Sequence, residues 1–469
     1  MRILISYSAS STHVATTFEY LTSFMRDPNV EVEYLHVTHE AIPNVDLNAY
    51  DAVINFYCAR LCFPEYVSRS FVRKLARFEG VKALIVQDEY NNTNHLLDQC
   101  REIGFDIIFT CLPQTTRHRV YSDEMFPNTD FHTTLTGFLP DDHLSIEEMV
   151  SPRPVRERST AIGYRGRRLG LEYGRLGRLK YEVGVRFRDE AAKRDVTTDI
   201  GVEESDRIYG DDWFRFIAST QCMLGSPSGS NVFDWDGSLA SRCRQADTDA
   251  ARKALAKAIE EAEEDFQMEQ ISPRAFECAM LRTPMVLMEG NYSDILMPGI
   301  HFIPVAEDFG NLDEVFAKLR DTDRLQEMAD RTYRDLVESG RFTTSTYAAN
   351  MIRIIAERVE RNRRAVTTLT PTPPDEPPSG DPAAGLLAER PTERPLEAHP
   401  LDRITDAAAG LRDLHARLDQ ATIFSKHSPN RVVLVKLLIR TSTPTWLHPL
   451  LRWLGAPIEK TARRLARRT

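Results

Sequence analysis

The sequence predicts an α/β protein in which two Rossmann-like, doubly wound domains face a cleft, followed by a Pro-rich linker and a short helical, basic C-terminal tail. Three observations carry this. Short apolar strands alternate with helical patterns across residues 1–140, and several strands are continuously apolar, as in a parallel sheet covered on both faces. The same alternation restarts near residue 155 and continues to about 365. Residues 366–400 then hold nine of the 26 prolines with few large apolar residues, too little buried surface to offset the entropy of ordering. The expected units are 1–150 and 151–365 for the two domains, 366–400 for the linker and 401–469 for the tail.

In chain order, Arg2–Ser6 reads as a strand entering a small polar loop, Ser8 to His13, with a helix over Val14–Met25 behind it. Val30–His36, Ala52–Phe56, Lys82–Gln87 and Ile107–Cys111 continue the first sheet. Ser159–Tyr164 opens the second, which Gln221–Gly225, Met285–Glu289 and His301–Pro304 extend. Asp247–Phe266, Leu312–Leu319 and Thr343–Asn362 show helical periodicity. In sheets of this kind a ligand sits beyond the carboxyl ends of the strands, so function is expected in the loops there.

Composition narrows the class. With 42% hydrophobic and 27% charged residues the chain is not a wholly disordered one. The net charge of -10 argues against a general nucleic-acid binder, but it is unevenly spread: residues 425–469 carry ten Lys/Arg and one acid, a net of +9. That segment mixes Val432–Ile439, Trp446 and Trp453 with its cations and is expected to dock on an anionic membrane surface; the other reading is a tail that packs on the enzyme or mediates oligomerisation. Seven scattered cysteines without a C-x-x-C pair fit reduced thiols in the cytosol. MRILISYSAS lacks the features of a signal peptide, and no apolar run reaches the ~18 residues of a membrane span. A cytoplasmic protein, peripheral to a membrane at most, is expected.

The segment Glu269–Gly290 is the most informative. Ser272 and Pro273 suit the N-cap and first position of a helix, and Thr283-Pro284 breaks it before a buried strand. Glu269 and Glu277 flank that helix start, where backbone N–H groups can hold a phosphate; they would bind sugar hydroxyls there, or else are two solvated glutamates. Between Arg165 and Arg188 stand eight Lys/Arg, two acids and five glycines. Such a pattern brings backbone and guanidinium groups to a phosphate, or forms a basic surface patch. There is no Walker A and no G-x-G-x-x-G, hence no indication of ATP hydrolysis or dinucleotide redox. Asp234-Trp235-Asp236 reads as a divalent-metal triplet, as part of a loop that positions a ligand through Ser228, Gly229 and Ser230, or as plain turn chemistry. Gln87-Asp88-Glu89-Tyr90 follows an apolar strand and should project into the cleft, where Asp88 or Glu89 could accept a proton. His13 could contact an acceptor from the first loop, while His118 and His132 have too little context to assign.

Together these segments resemble the donor-binding region of two-domain GT-B-type glycosyltransferases with an E-x7-E motif. Glu269-x7-Glu277, ISPR-x-FE, Glu289-Gly-Asn-Tyr-Ser293, His301–Pro304 and Asp308–Asn311 look similar, more closely, to a bacterial subgroup related to the spore-maturation-type glycosyltransferases of surface-polysaccharide clusters. Ile162–Gly184, Gln87–Tyr90 and Leu135–Pro140 resemble it too, so the likeness covers roughly residues 50–360 and leaves the linker and tail unmatched. The resemblance implies a GT-B-like fold and a retaining transfer from a nucleotide-sugar donor to a glycan, lipid-linked or other hydroxyl acceptor, in surface-polysaccharide synthesis. Arg165, Arg167 and Lys180 would neutralise the leaving diphosphate. Glu269 would bind the donor sugar and stabilise charge at its anomeric carbon, and Glu277 would bind the ribose. Ser272, Arg274, Ser228, Gly229 and Ser230 would complete the donor site; Asp88, Glu89, Tyr90 and His13 would face the acceptor. No cofactor, no divalent metal and no nucleic acid is expected, since the cations and a helix N-terminus would take the place of a metal. Two rivals stand beside this reading: a sugar-nucleotide epimerase with the same two-domain architecture, and a membrane-associated scaffold with a degenerate site.

Overall fold

The computed structural model describes residues 1–8, 12, 14–38, 45–261, 263 and 268–369; His13, the linker from residue 370 and the tail lie outside them. The first domain runs β1 (Arg2–Tyr7), α1 (Ala15–Ser23), β2 (Glu31–His36), β3 (Ala52–Asn55), α2 (Arg69–Ala76), β4 (Val81–Ile85), α3 (Thr93–Ile103), β5 (Ile107–Thr110), β6 (Asp130–Thr133) and α4 (His143–Val150). Its strands pair in parallel in the order β2-β1-β3-β4-β5-β6. All four residues of β3 and of β5 are buried, because helices cover both faces. β6 carries no apolar run, and so escapes sequence reading: its residues, DFHT, lie at the sheet edge and are only partly buried.

The second domain runs β7 (Thr160–Arg165), α5 (Gly174–Ala192), β8 (Thr198–Gly201), α6 (Asp211–Ser219), β9 (Thr220–Gly225), α7 (Ser238–Gln245), α8 (Asp249–Glu261), α9 (Pro273–Met280), β10 (Met285–Met288), β11 (Phe302–Val305), α10 (Leu312–Leu319) and α11 (Thr322–Tyr333). Its parallel order is β11-β10-β9-β7-β8. The edge strand β8 is as polar as β6 and was equally hidden. The glycine-rich stretch is mostly helix: only residues 166–173 precede α5, which opens on Gly174 at φ +57. Gly184 is needed for packing, since a Cβ there would stand 2.7 Å from Val202 and 2.9 Å from Tyr164.

The last element, α12 (Thr344–Leu369), corrects the domain bounds. Residues up to 365 were expected in the second domain, yet Tyr347, Met351, Ile352, Ile355 and Val359 share one core with Ile3, Ile5, Ile54 and Ile107 of the first sheet. Arg358 fastens the helix there, 3.0 Å from Asp106 and 2.8 Å from Asp130. The two crossings between domains run side by side: Leu139 N–H donates to the Phe342 carbonyl at 2.7 Å and Thr344 N–H to the Leu139 carbonyl at 3.0 Å. Asp141 accepts the N–H and hydroxyl of Ser345 at 3.0 and 2.6 Å and pairs with Arg26.

Direct bonds also join the domains across the cleft. Asp234 N–H donates to the Tyr90 carbonyl at 2.9 Å, and the N–H groups of Thr93 and Asn94 donate to the Asp234 and Trp235 carbonyls at 3.2 and 2.8 Å. Two of the orphan amides at the start of α3 are thus satisfied by the other domain. Thr136 donates its hydroxyl to the Ile271 carbonyl, and Gly137 lies on the start of α9. No helix among the described residues is long and apolar enough to cross a membrane.

The Gly137 contact can be tested directly. A Cβ there would stand 2.6 Å from the nitrogen of Pro273 and 2.8 Å from its Cα, backbone that moves only with α9. Gly137→Ala is expected to cost about 1–3 kcal/mol, as overpacking does, and to loosen the domains. Denaturant unfolding and small-angle scattering measure both; an unchanged midpoint and radius of gyration would contradict the contact.

Candidate functional site

Strand order reverses once in each sheet, between β1 and β3 in the first and between β7 and β9 in the second. These are the switch points at which open α/β sheets leave a crevice for ligands. At the second, β7 ends on Arg165 and β9 on Gly225, and the loop 166–173 leads into α5. At the first, Arg60 follows the end of β3. The two edges meet: the Tyr90 and Tyr173 rings lie 6.0 Å apart, edge to face.

Cations crowd this meeting. Lys180, in the second turn of α5, has its ammonium pushed down to about 8 by burial, and then by the neighbouring charges of Arg274 and Arg167, with Asp88 of the first domain acting in the opposite sense. Among the described residues neither Lys180 nor the exposed Arg167 has an ion-pair partner. Arg274 donates to the Leu224 and Arg165 carbonyls at 3.5 and 2.5 Å and lies over the rings of Tyr164 and Trp213. Arg60 approaches Asp88 at 3.5 Å, and its Nε is buried without a partner among the described residues. Asp88 also accepts the Tyr90 hydroxyl at 2.9 Å. Arg60 was missed in the sequence; its only signal is an arginine placed just past an apolar strand.

Arg165 sits differently from the expectation. Its guanidinium is 2.8 Å from Asp199 and stacked on Phe216, so its charge is already matched, and only its carbonyl reaches Arg274. Glu269 is buried, its Oε1 3.3 Å from Arg175 and its Oε2 accepting the Asn291 N–H at 2.6 Å. Glu277 accepts the Trp213 indole N–H at 2.8 Å, and burial holds its carboxyl above the usual range. It faces α1, where burial and then the charges of Asp142 and Glu277 push Glu19 up to about 7. Ser272 is the N-cap of α9 as expected, but its side chain makes no capping bond, and Gly137 lies against this helix start where a phosphate was expected.

Three further expectations change. Glu89 does not project into the cleft: it is fully buried, accepts the Thr110 hydroxyl and the Cys111 N–H, and leaves Oε2 without a partner among the described residues. The Ser230 hydroxyl closes its own loop onto Val232 at 3.0 Å and is fully buried, while Ser228 pairs by its backbone with Gln270 and Gly229 adopts φ +96. Asp234 accepts the N–H groups of Leu239 and Ala240, both at 3.0 Å, and Asp236 that of Ser238 at 2.9 Å, so both carboxylates cap α7.

No family model matches the chain, and no curated protein matches it. Among solved structures it is similar to an α-glucosyltransferase in complex with UDP-glucose and DNA containing an abasic site, at 11% identity and TM-score 0.44, over 76% of this chain and 99% of that one. It is similar to T4 phage BGT in complex with its UDP-glucose substrate at 10% identity and TM-score 0.40, over 78% of this chain and 99% of that one. A UDP-N-acetylglucosamine 2-epimerase follows at 9% identity and TM-score 0.32, over 71% and 90%. Likenesses this distant leave the functional reading to the site itself.

Glu89 sets a pH dependence of stability. Its carboxyl is raised from 4.5 to about 7, chiefly by burial, so the folded state keeps a proton that the unfolded chain releases. Stability therefore falls as pH rises between those values, by on the order of 3 kcal/mol for this group. Glu89→Gln is expected to remove that part of the fall: denaturant unfolding at pH 5 and pH 8 compares the two proteins, and equal slopes would refute the assignment.

Proposed function

We propose that this chain is a glycosyltransferase that moves a sugar from a nucleotide-sugar donor to a hydroxyl acceptor in the cleft between its domains. The observation that carries this is Lys180, an ammonium with no ion-pair partner among the described residues, crowded by Arg167 and Arg274 at the second switch point and influenced in the opposite sense by Asp88 of the first domain. Like charges in excess of the carboxylates described around them suit an anion that arrives with the substrate. As the bond from the anomeric carbon to the diphosphate breaks, negative charge grows on the leaving group, and these fixed cations stabilise it. Arg165 acts by holding Arg274 through its carbonyl. The acceptor oxygen forms the new bond, and its proton passes to Asp88. Glu269 faces the donor sugar and Glu277 the ribose, with Ser272 and the Ser228–Gly229 turn beside them; retention of configuration rests on the resemblance around Glu269-x7-Glu277. The reaction needs no divalent ion, since Asp234 and Asp236 are committed to backbone amides and the cations stand at the diphosphate.

Incubation with a nucleotide-sugar panel, with and without EDTA, tests the reading: nucleotide release that survives EDTA supports it, and epimerised donor without transfer points to the epimerase. Lys180→Met is expected to lower turnover roughly 10²–10³-fold, as loss of one such donor does. The charge of Lys180 fades as pH rises through about 8, so donor affinity falls there, whereas Lys180→Arg holds its affinity to higher pH. Calorimetry from pH 7 to 9 measures this, and identical profiles for the two proteins would exclude Lys180 from the anion site.

The acceptor we place among surface glycans or lipid-linked saccharides, reached when the +9 segment 425–469 docks on an anionic membrane. Full-length protein is expected to pellet with anionic vesicles in a salt-sensitive way and a chain ending at Leu369 is not. Equal pelleting would remove the membrane from the proposal.

A further inference from the structure

Arg175 is the second residue of α5, and three carboxylates surround it. Glu307 is 2.7 Å away, Glu269 3.3 Å and Glu263 3.5 Å. The Arg175 N–H also donates to Glu263 at 2.7 Å. The three acids differ in depth: the side chain of Glu307 is 51% exposed, that of Glu263 16% and that of Glu269 2%. A carboxylate buried as deeply as Glu269 is costly unless a partner and donors surround it. Its donors among the described residues are Arg175 on one oxygen and the Asn291 N–H on the other. Lateral room is closed as well: a Cβ on Gly290, at φ +155, would stand 2.9 Å from Glu269 Oε2 and 2.6 Å from Pro227.

We infer that Arg175 is the positioning residue of Glu269, holding the carboxylate in one orientation for the donor sugar. The inference rests on the glycosyltransferase reading above. The local charge separates it from the alternative, an arginine that grips the diphosphate. Arg175 with its three carboxylates carries a net −2, which repels a phosphate, whereas Lys180 and Arg167 have no carboxylate partner among the described residues. One cation bound by three acids is a strut. Glu307 and Glu263 hold the guanidinium in place, and Glu269 takes its orientation from it.

The test is a double-mutant cycle on the full-length protein with Arg175→Gln and Glu269→Gln, read as turnover, donor KM and affinity for the nucleoside diphosphates UDP, GDP and ADP. If Arg175 acts through Glu269, each single variant loses kcat and the double variant loses no more than the worse single one, because the second change removes an interaction already gone. Affinity for the diphosphate the enzyme releases stays within about threefold of wild type, since no phosphate contact is lost. Arg175→Lys keeps the charge and is expected to fold and recover part of the turnover that Arg175→Gln loses; it decides the matter if the glutamine variant does not fold. Multiplicative losses in the double variant, a tenfold or greater loss of diphosphate affinity, or no recovery with lysine would each overturn the assignment. Wild-type protein that binds and cleaves no nucleotide sugar would instead defeat the glycosyltransferase reading, so the two failures are distinguishable.

Discussion

The carboxyl edges of the two sheets can face one another only because the chain passes between domains twice at one place. Residues 139 and 342–344 exchange backbone hydrogen bonds there, and Asp141 gathers Arg26, Ser345 and its own strand of the crossing. The second passage exists because α12 returns to the first domain, buries a row of apolar side chains in its core and sets Arg358 between Asp106 and Asp130. Each fully buried large apolar side chain is worth about 1.5–3 kcal/mol, so the helix is held far more firmly than any single cross-cleft hydrogen bond. Everything at the cleft inherits its geometry from that return. Asp88, in the loop after β4 of one domain, acts on Lys180 in a helix of the other, and Glu277 on α9 acts on Glu19 on α1.

Charge divides the cleft into two unlike halves. On one side Lys180, Arg167, Arg274 and Arg60 gather near Asp88. Burial, and then repulsion from Arg274 and Arg167, lower the proton affinity of Lys180. On the other side Arg175 is outnumbered by carboxylates. A molecule with an anionic end and a hydroxyl-rich end matches this division better than one of uniform charge. The carboxylates of the D-x-D triplet accept the amides at the start of α7, which they satisfy as caps.

Local pattern in the chain was enough to fix the class of the protein. Continuous apolar runs gave β3, β5 and β10 within a residue or so, because strands buried on both faces have no polar side to show. Ser272-Pro273 marked the start of α9. Edge strands β6 and β8 were invisible for the complementary reason: half-exposed and polar, they are strands only because a neighbour pairs with them.

What tertiary structure alone decided is which of the charged residues remain available. In sequence Arg165, Arg167, Arg175 and Lys180 are equivalent cations in one glycine-rich segment, and Asp88 and Glu89 are adjacent acids. Folding matches Arg165 with Asp199, surrounds Arg175 with glutamates, buries Glu89 against Thr110, and leaves Lys180, Arg167 and Asp88 facing the cleft. The same holds for α12, whose apolar stripe is legible but whose choice of sheet is not. Residue type and spacing fix what a segment can form, through local sterics and hydrophobic periodicity. Which partner each charge finds depends on contacts between residues distant in sequence, from Glu89 with Thr110 to Arg358 with Asp106, and those exist only once strands and helices have packed together.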